Sequence, residues 1–396
     1  MIPRLKPLSV FIASAFILLA AATAHAQSGV RPKPTPVEEG DERVFTEEVR
    51  IPVFATDARG RFDPALEIPD VLVVEDDVPQ QVKSVRRIPA SVLLLLATGG
   101  ELNPSMRVST TREVALNVVE NLREGDRVAV VEFNSRAQVA QGWTADRAEA
   151  AHALRSRLAF GRGSRLSQAI IRAAQLFEGE PAGNRHLVVV TDGVEAPARI
   201  DAKDALLVLG VDTPESKAQA AEATRRLIAA QVTVHVVSYA ALGRKAMKER
   251  ERPKEVAGMA QSRQDMAVVG INPTQPIGMR GPGLNGPSVN SGLRIDPTMK
   301  RVHKAYERAM KKGEDRLKAL TEETAGRLIQ PATEEELIER GAEVAREIGA
   351  QYVVTYRPKR PLGQSPATEY RRIRVHARRI GLNVRARRGY VVGAMR

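Results

Sequence analysis

Val92-Leu93-Leu94-Leu95-Leu96, followed by Ala97-Thr98-Gly99-Gly100-Glu101, is the stretch on which the fold turns. An unbroken apolar run without alternation suits a strand buried on both faces, as inside a parallel sheet. The glycines behind it mark a turn at the strand's carboxyl end. Downstream, helical periodicity runs from about Val108 to Leu122, with Val114, Val118 and Val119 on one side. Glu124-Gly125-Asp126 stops that helix, and Val128 to Phe133 reads as the next strand.

The alternation continues. Thr144 is placed to cap a helix reaching about Leu158, with Arg147 and Glu149 in its early turns. Leu166 to Phe177 is a further helix. Leu187 to Val190 is a second all-apolar strand, ending in Thr191-Asp192-Gly193. A helix from about Ser216 to Ala230 leads into Val232-Thr233-Val234-His235-Val236-Val237. Strands alternating with helices imply an α/β fold with an open, mostly parallel sheet. Any ligand site then belongs at the carboxyl ends of those strands.

The flanks read differently. From Val44 to about residue 89, Val49, Ile51, Val53 and Ala55 alternate along a strand, Asp57-Ala58-Arg59-Gly60-Arg61 is a turn, and Val71 to Val74 is another strand. This is a small β-rich unit. The α/β domain is expected over 90–358, with a long insertion at about 240–300. Within that insertion Lys245 to Lys254 is a charge run, and Val268 to Ser291 is rich in Gly, Pro and Asn. Helical pattern resumes from about Met299 to Ala325 and from Thr333 to Ile348. Gln351 to Tyr356 reads as the last central strand, with its tyrosines under the helices. Residues 359–396 are expected to form a basic tail, with Tyr370 to Ala377 and Leu382 to Arg387 as a β-hairpin around Gly381.

The chain opens with Arg4 and Lys6, a short apolar run from about Leu8 to Ala22, and Ala24-His25-Ala26. This is the layout of a secretory signal peptide over 1–26, cleaved before Gln27 and followed by a flexible leader over 27–43. The apolar run is shorter than the roughly 20 residues of a spanning helix, so no transmembrane anchor is expected after cleavage. The reading places the protein in the periplasm or outside the cell. It has no cysteine, which excludes disulfides, thiol chemistry and Cys-ligated metals. The formal charge of +13 favours anionic partners through a salt-sensitive field, and export makes nucleic acid an unexpected one. Much of that charge sits at Arg371, Arg372, Arg374, Arg378, Arg379, Arg385, Arg387 and Arg388.

The run Val92 to Glu101, the strand Val128 to Phe133, Gly161-Arg162-Gly163-Ser164 and Val190-Thr191-Asp192-Gly193 together resemble the strands and metal loops of a von Willebrand factor A domain. The chain is also similar to a narrower bacterial family of VWFA-related domains, first noted in acidobacteria. Thr56 to Phe62, Val74 to Gln80, Glu323 to Arg327, Gln351 to Pro358 and Arg385 to Tyr390 carry that likeness. The resemblance implies a Rossmann-like core and a divalent ion held by an Asp-x-Ser-x-Ser loop, a Thr and an Asp. A hard ion such as Mg²⁺ takes near-octahedral oxygen ligands. Here the corresponding positions are Ala97, Gly99 and Glu101, then Ser164, then Asp192. Ala97 and Gly99 offer no side-chain oxygen, so the site is degenerate. Two readings stay open. Glu101, Ser164 and Asp192 form a rearranged site with weak Mg²⁺ or Mn²⁺ binding, or the metal is lost and Asp192 bonds neighbouring backbone. The second is preferred, and no cofactor is expected. Arg162 and Arg165 are candidates for attracting a partner's carboxylate.

The histidines show no metal-ligand spacing, and His235 sits in an apolar strand as a core residue. Gly161 to Ser164 lacks the Lys-Ser/Thr of a phosphate loop, and there is no Gly-x-Ser-x-Gly elbow. The sequence therefore points away from a hydrolytic enzyme. It points to an exported protein–protein interaction module, with an envelope-associated structural protein, bound through its basic tail to anionic surface material, as the alternative.

Overall fold

The computed structural model describes residues 47–99, 108–197, 209, 211, 213–251 and 297–395. The expected signal peptide, the leader and the loop 268–291 lie outside the described residues, as does Glu101.

A six-stranded sheet forms the centre, in the order β10-β9-β8-β5-β6-β7. Its strands are β5 (Ser91–Ala97), β6 (Arg127–Phe133), β7 (Ala137–Thr144), β8 (Arg185–Thr191), β9 (Val232–Ser238) and β10 (Arg327–Ile329). The strands β10, β9, β8, β5 and β6 run parallel, and β7 closes the edge antiparallel to β6. Every residue of β5 is buried, as its unbroken apolar run demands. Leu93 sits in register with Ala129 on one side and Leu187 on the other.

Around the sheet stand α1 (Val108–Asn121), α2 (Arg147–Ser156), α3 (Leu166–Leu176), α4 (Pro214–Ala229), α5 (Ala240–Glu251), α6 (Pro297–Glu323) and α7 (Glu334–Gly349). The buried faces of α1, α2, α3, α4, α7 and the end of α6 join β5, β6, β8 and β9 in one apolar core, whereas α5 and the first half of α6 meet in a separate cluster. The α2 helix is capped by Asp146, whose carboxylate accepts from the amides of Ala148 and Glu149. Thr144 instead accepts from the Asp146 amide, so the cap lies two residues beyond the one expected. Thr333 caps α7 through the Glu336 amide.

The flanks fold together. β1 (Val49–Thr56), β4 (Val82–Arg86), β11 (Tyr352–Tyr356) and β13 (Asn383–Ala386) make one antiparallel sheet in the order β13-β1-β11-β4. β2 (Val71–Glu75), β3 (Val78–Gln80), β12 (Tyr370–Ala377) and β14 (Gly389–Val391) make a second, in the order β14-β12-β2-β3. Alternate residues of both sheets, among them Val49, Ile51, Val53, Val71, Val73, Val354, Ile373 and Tyr390, share one core.

Two expectations are corrected. The 352–356 strand is not part of the central sheet. It pairs with β1 and β4, and Tyr352 and Tyr356 are buried in the second core. The C-terminal hairpin is β12 with β14; the 383–386 strand crosses to the other sheet beside β1. In both cases a short strand can satisfy either sheet, and only the partner's register decides which.

Candidate functional site

The carboxyl ends of β5, β6, β8 and β9 form the crown where the sequence places a site. Ala97 ends β5 and is buried. The turns behind β5 and β6 are joined by backbone contacts: Gly161 donates to the Thr98 carbonyl at 3.0 Å, and Arg165 donates to the Asn134 carbonyl at 2.8 Å. Asn134 also reaches Thr98 Oγ1 at 3.3 Å. This packing leaves no room for a side chain at position 99. A Cβ there would lie 1.9 Å from the Gly163 carbonyl oxygen and 2.9 Å from Asn134 Cβ. Gly99 thus lacks a ligand oxygen and also occupies a space too small for serine.

Asp192, just past β8, is 5% exposed. Its Oδ1 accepts from the Val194 amide at 3.0 Å, and its Oδ2 accepts from the Tyr306 hydroxyl at 2.8 Å. Burial pushes the carboxyl above its ordinary range, against the opposing pull of those two bonds. Burial and then the Asp192 charge hold the Tyr306 and Tyr239 hydroxyls far above the usual tyrosine value. Tyr306 belongs to α6, which roofs this end of the sheet. Val302, Ala305, Ala309 and Met310 of α6 pack on Val194, Ala240 and Met247. Farther along, Gly313 meets Gly193 backbone to backbone, since a Cβ on Gly313 would lie 2.1 Å from the Gly193 carbonyl oxygen. Gly193 itself has a φ of +76°, a conformation that glycine adopts without steric cost.

Ser164 is buried in the second loop. Its backbone bridges Ala196, and its Oγ has no hydrogen-bond partner among the described residues. Glu195 accepts from the Ser167 amide at 2.6 Å and so serves the start of α3. Arg162 and Arg165 are exposed on the same loop. The structure brings Ala97, Gly99, Ser164 and Asp192 to one end of the sheet, while the place of Glu101 lies outside the described residues. Among those residues no three His, Cys, Asp or Glu side chains converge on a common point. Among the described residues, Ala97 and Gly99 therefore supply no side-chain oxygen at this end of the sheet, whereas Ser164 and Asp192 do.

Sequence reasoning missed Tyr306, Asn134 and Gly313. A signal for the first existed. Val302, Ala305, Tyr306, Ala309 and Met310 follow helical spacing, and a tyrosine on a buried stripe needs a partner for its hydroxyl. Its partner, 114 positions away, leaves no trace in local sequence.

Asp192→Asn is expected to flatten the fall of stability between acid and neutral pH. The raised carboxyl pKa means the folded state binds the proton more tightly than the unfolded state. Folding therefore weakens as pH rises from the ordinary aspartate value through the raised one. An amide at this position has no charge to bury. Thermal melts across acid to neutral pH check this, and a pH slope in the variant equal to that of the unsubstituted chain contradicts it.

The arginines of the C-terminal tail are largely spoken for. Arg371 pairs with Glu75 at 2.8 Å, Arg379 with Asp63 at 2.6 Å and Arg388 with Glu323 at 3.0 Å. Arg374 pairs with Asp77 and Arg385 with Glu347. Most of the tail's charge is therefore tied to the protein's own acids and does not form a free basic face.

A family model described as the von Willebrand factor type A domain matches residues 95–195. No curated protein matches the chain. Among solved structures, the conserved hypothetical protein BatB from Bacteroides thetaiotaomicron is 19% identical with a TM-score of 0.27, over 38% of this chain and 66% of that one. The vWF domain of a type V pili tip protein from Porphyromonas gingivalis is 18% identical with a TM-score of 0.25, over 28% of this chain and 40% of that one. A von Willebrand factor type A protein from Catenulispora acidiphila is 12% identical with a TM-score of 0.40, over 86% of this chain and 73% of that one. The chain thus spans less than two thirds of the first two of these structures. With a matching family model running from the end of β5 through β6 to just past β8, and a mostly parallel sheet flanked by helices around them, the chain contains a von Willebrand factor type A domain.

Proposed function

We propose that this chain is an exported, non-enzymatic protein–protein interaction module of the narrower VWFA-related bacterial type, acting in the periplasm or outside the cell. The observation that carries the reading is the roofed crown. Among the described residues, the carboxyl end of the sheet is covered by side chains and by α6, and no three metal-ligating side chains converge there, so recognition falls to the surface laid over it. That surface includes exposed Arg162 and Arg165. The apolar run at the start of the sequence supports export, and no helix among the described residues is long and apolar enough to cross a membrane. Envelope binding through the tail is the weaker reading, because the tail arginines already hold acidic partners.

The test is photo-crosslinking in the producing cells, with a photoreactive residue at position 162 or 165 and, as control, at Arg61 in the turn after β1. The expected result is a discrete protein adduct from the crown positions alone, weakened when the remaining crown arginine is neutralised. Adducts that are absent, or equal at all positions, would end the proposal.

A further inference from the structure

The helix that roofs the crown buries one face and leaves the other to solvent. Lys300, Arg301, Lys304, Arg308, Lys311 and Lys318 of α6 are all exposed. At about 100° per residue they fall within about 100° of arc, a single stripe along the helix. None of them makes an ion pair with another described residue, in contrast to the tail arginines. Glu314, on the same helix, is already engaged: it binds Arg244 at 2.7 Å and Gln330 at 2.7 Å. Beside the stripe runs an open groove between α5 and α6. Lys248, Arg308, Lys311 and Lys318 line it, together with Leu328 and Gln330 at the edge strand β10. Glu307 and Asp315 line it too.

We infer that this stripe and groove bind an extended acidic segment of a partner protein, with carboxylates at alternate positions. The inference rests on the interaction-module reading and names the chemistry of its partner. Spacing supports it. Lys300, Lys304, Arg308 and Lys311 advance by about 6, 6 and 4.5 Å along the helix axis. Alternate side chains of an extended chain advance by about 6.6 Å. From Lys300 to Lys318 the stripe spans about 27 Å, the reach of about eight extended residues. Shape separates this partner from a lipid surface. An extended chain enters a groove that a flat bilayer cannot follow. Surface-lying helices also need an apolar face for the bilayer, and the apolar face of α6 is packed on the crown. The large apolar side chains exposed among the described residues, such as Phe160 and Ile380, lie on neither α5 nor α6. Glu307 and Asp315 would set register by repelling a misplaced carboxylate.

The test uses the full chain, a labelled peptide of alternating Glu and Ser read by fluorescence anisotropy, and vesicles of phosphatidylglycerol read by co-sedimentation. The peptide is expected to bind at low salt and to weaken about tenfold or more in Lys304→Glu/Arg308→Glu/Lys311→Glu, with the melting temperature unchanged. Added salt should weaken it similarly. Should the triple variant fail to fold, Lys311→Glu alone carries the comparison. Equal peptide binding by the variants overturns the inference, as does binding of vesicles but not peptide, or of neither. A crown crosslink that persists in those cases leaves the interaction-module reading standing and removes only the acidic segment; loss of both removes both.

Discussion

Replacing Glu75 with alanine is expected to cost about 3–5 kcal/mol, the penalty for leaving one member of a buried ion pair alone. Glu75 sits in the core shared by the two small sheets, and its side chain is 3% exposed. It accepts from Arg371 Nη1 at 2.8 Å, from the Tyr390 hydroxyl at 3.0 Å and from the Tyr356 hydroxyl. Arg371 is fully buried and donates further to the carbonyls of Arg360 and Pro361 and to the Ser365 hydroxyl, 2.7 Å from Nη2. Without the carboxylate, a guanidinium charge and two tyrosine hydroxyls lose their partner in a site that water does not reach. Arg374→Gln is the comparison from the same strand. Arg374 is 60% exposed and its partner Asp77 is 66% exposed, so its loss should cost less than about 1 kcal/mol. Urea denaturation followed by circular dichroism measures both. Equal effects for the two variants would mean that burial does not govern the tail's ion pairs.

Acid is the second large lever. His186 and His235 are wholly buried and stacked, with ring centroids 5.4 Å apart. The hydrogen bonds assign their protons. Asn184 donates its amide to the Ile88 carbonyl, which turns Oδ1 toward His186 Nε2 at 2.8 Å. His186 Nε2 therefore carries the hydrogen, and its Nδ1 accepts from His235 Nε2 at 3.2 Å. His235 Nδ1 is left bare, 3.9 Å from Glu347. Burial first, then the charges of Arg385 and Arg327, pushes His235 down to about 3, and burial also holds His186 well below 6.5. Both rings are neutral in the folded state, whereas unfolded histidines take up protons below their ordinary value. Stability is thus full above about pH 6.5 and falls as pH drops from there toward about 3. The slope is about 1.4 kcal/mol per pH unit for each ring. His235→Phe is expected to flatten that slope by about one ring's share. Denaturation midpoints measured between pH 7 and pH 4 decide it, and an unchanged slope in the variant contradicts the assignment.

Much of the α/β core was legible because its strands carry their burial in composition. Val92 to Leu96 and Leu187 to Val190 admit no solvent face, and parallel order follows from the helices between them. β11 was not legible in the same way. Tyr352 to Tyr356 is as apolar as a central strand, and nothing local says that β1 and β4, about 270 to 300 positions upstream, will claim it. The crown was half legible. The missing ligand oxygens at Ala97 and Gly99 could be read directly, whereas the closed space at position 99 depends on Gly163 and Asn134. The tail's charge was legible and its internal partners were not. A run of arginines looks like a basic face until Glu75, Asp63 and Glu347, all distant in sequence, are seen to meet it.

The interleaving of the first and last strands sets an order of events. β1 lies between β11 and β13, and β2 lies between β12 and β3. The leading strands therefore have no complete sheet to join until β11 to β14 are also available. Contacts of such sequence separation are slow to form from an open coil, because loop closure must come first. The parallel sheet shortens that search. Once α7 has packed on α1, β11 follows directly behind it, beside an already folded body. Refolding should accordingly show two phases, an early one reported by Trp143 in the α/β core and a later one in which β1 and β2 pair with β11 to β13.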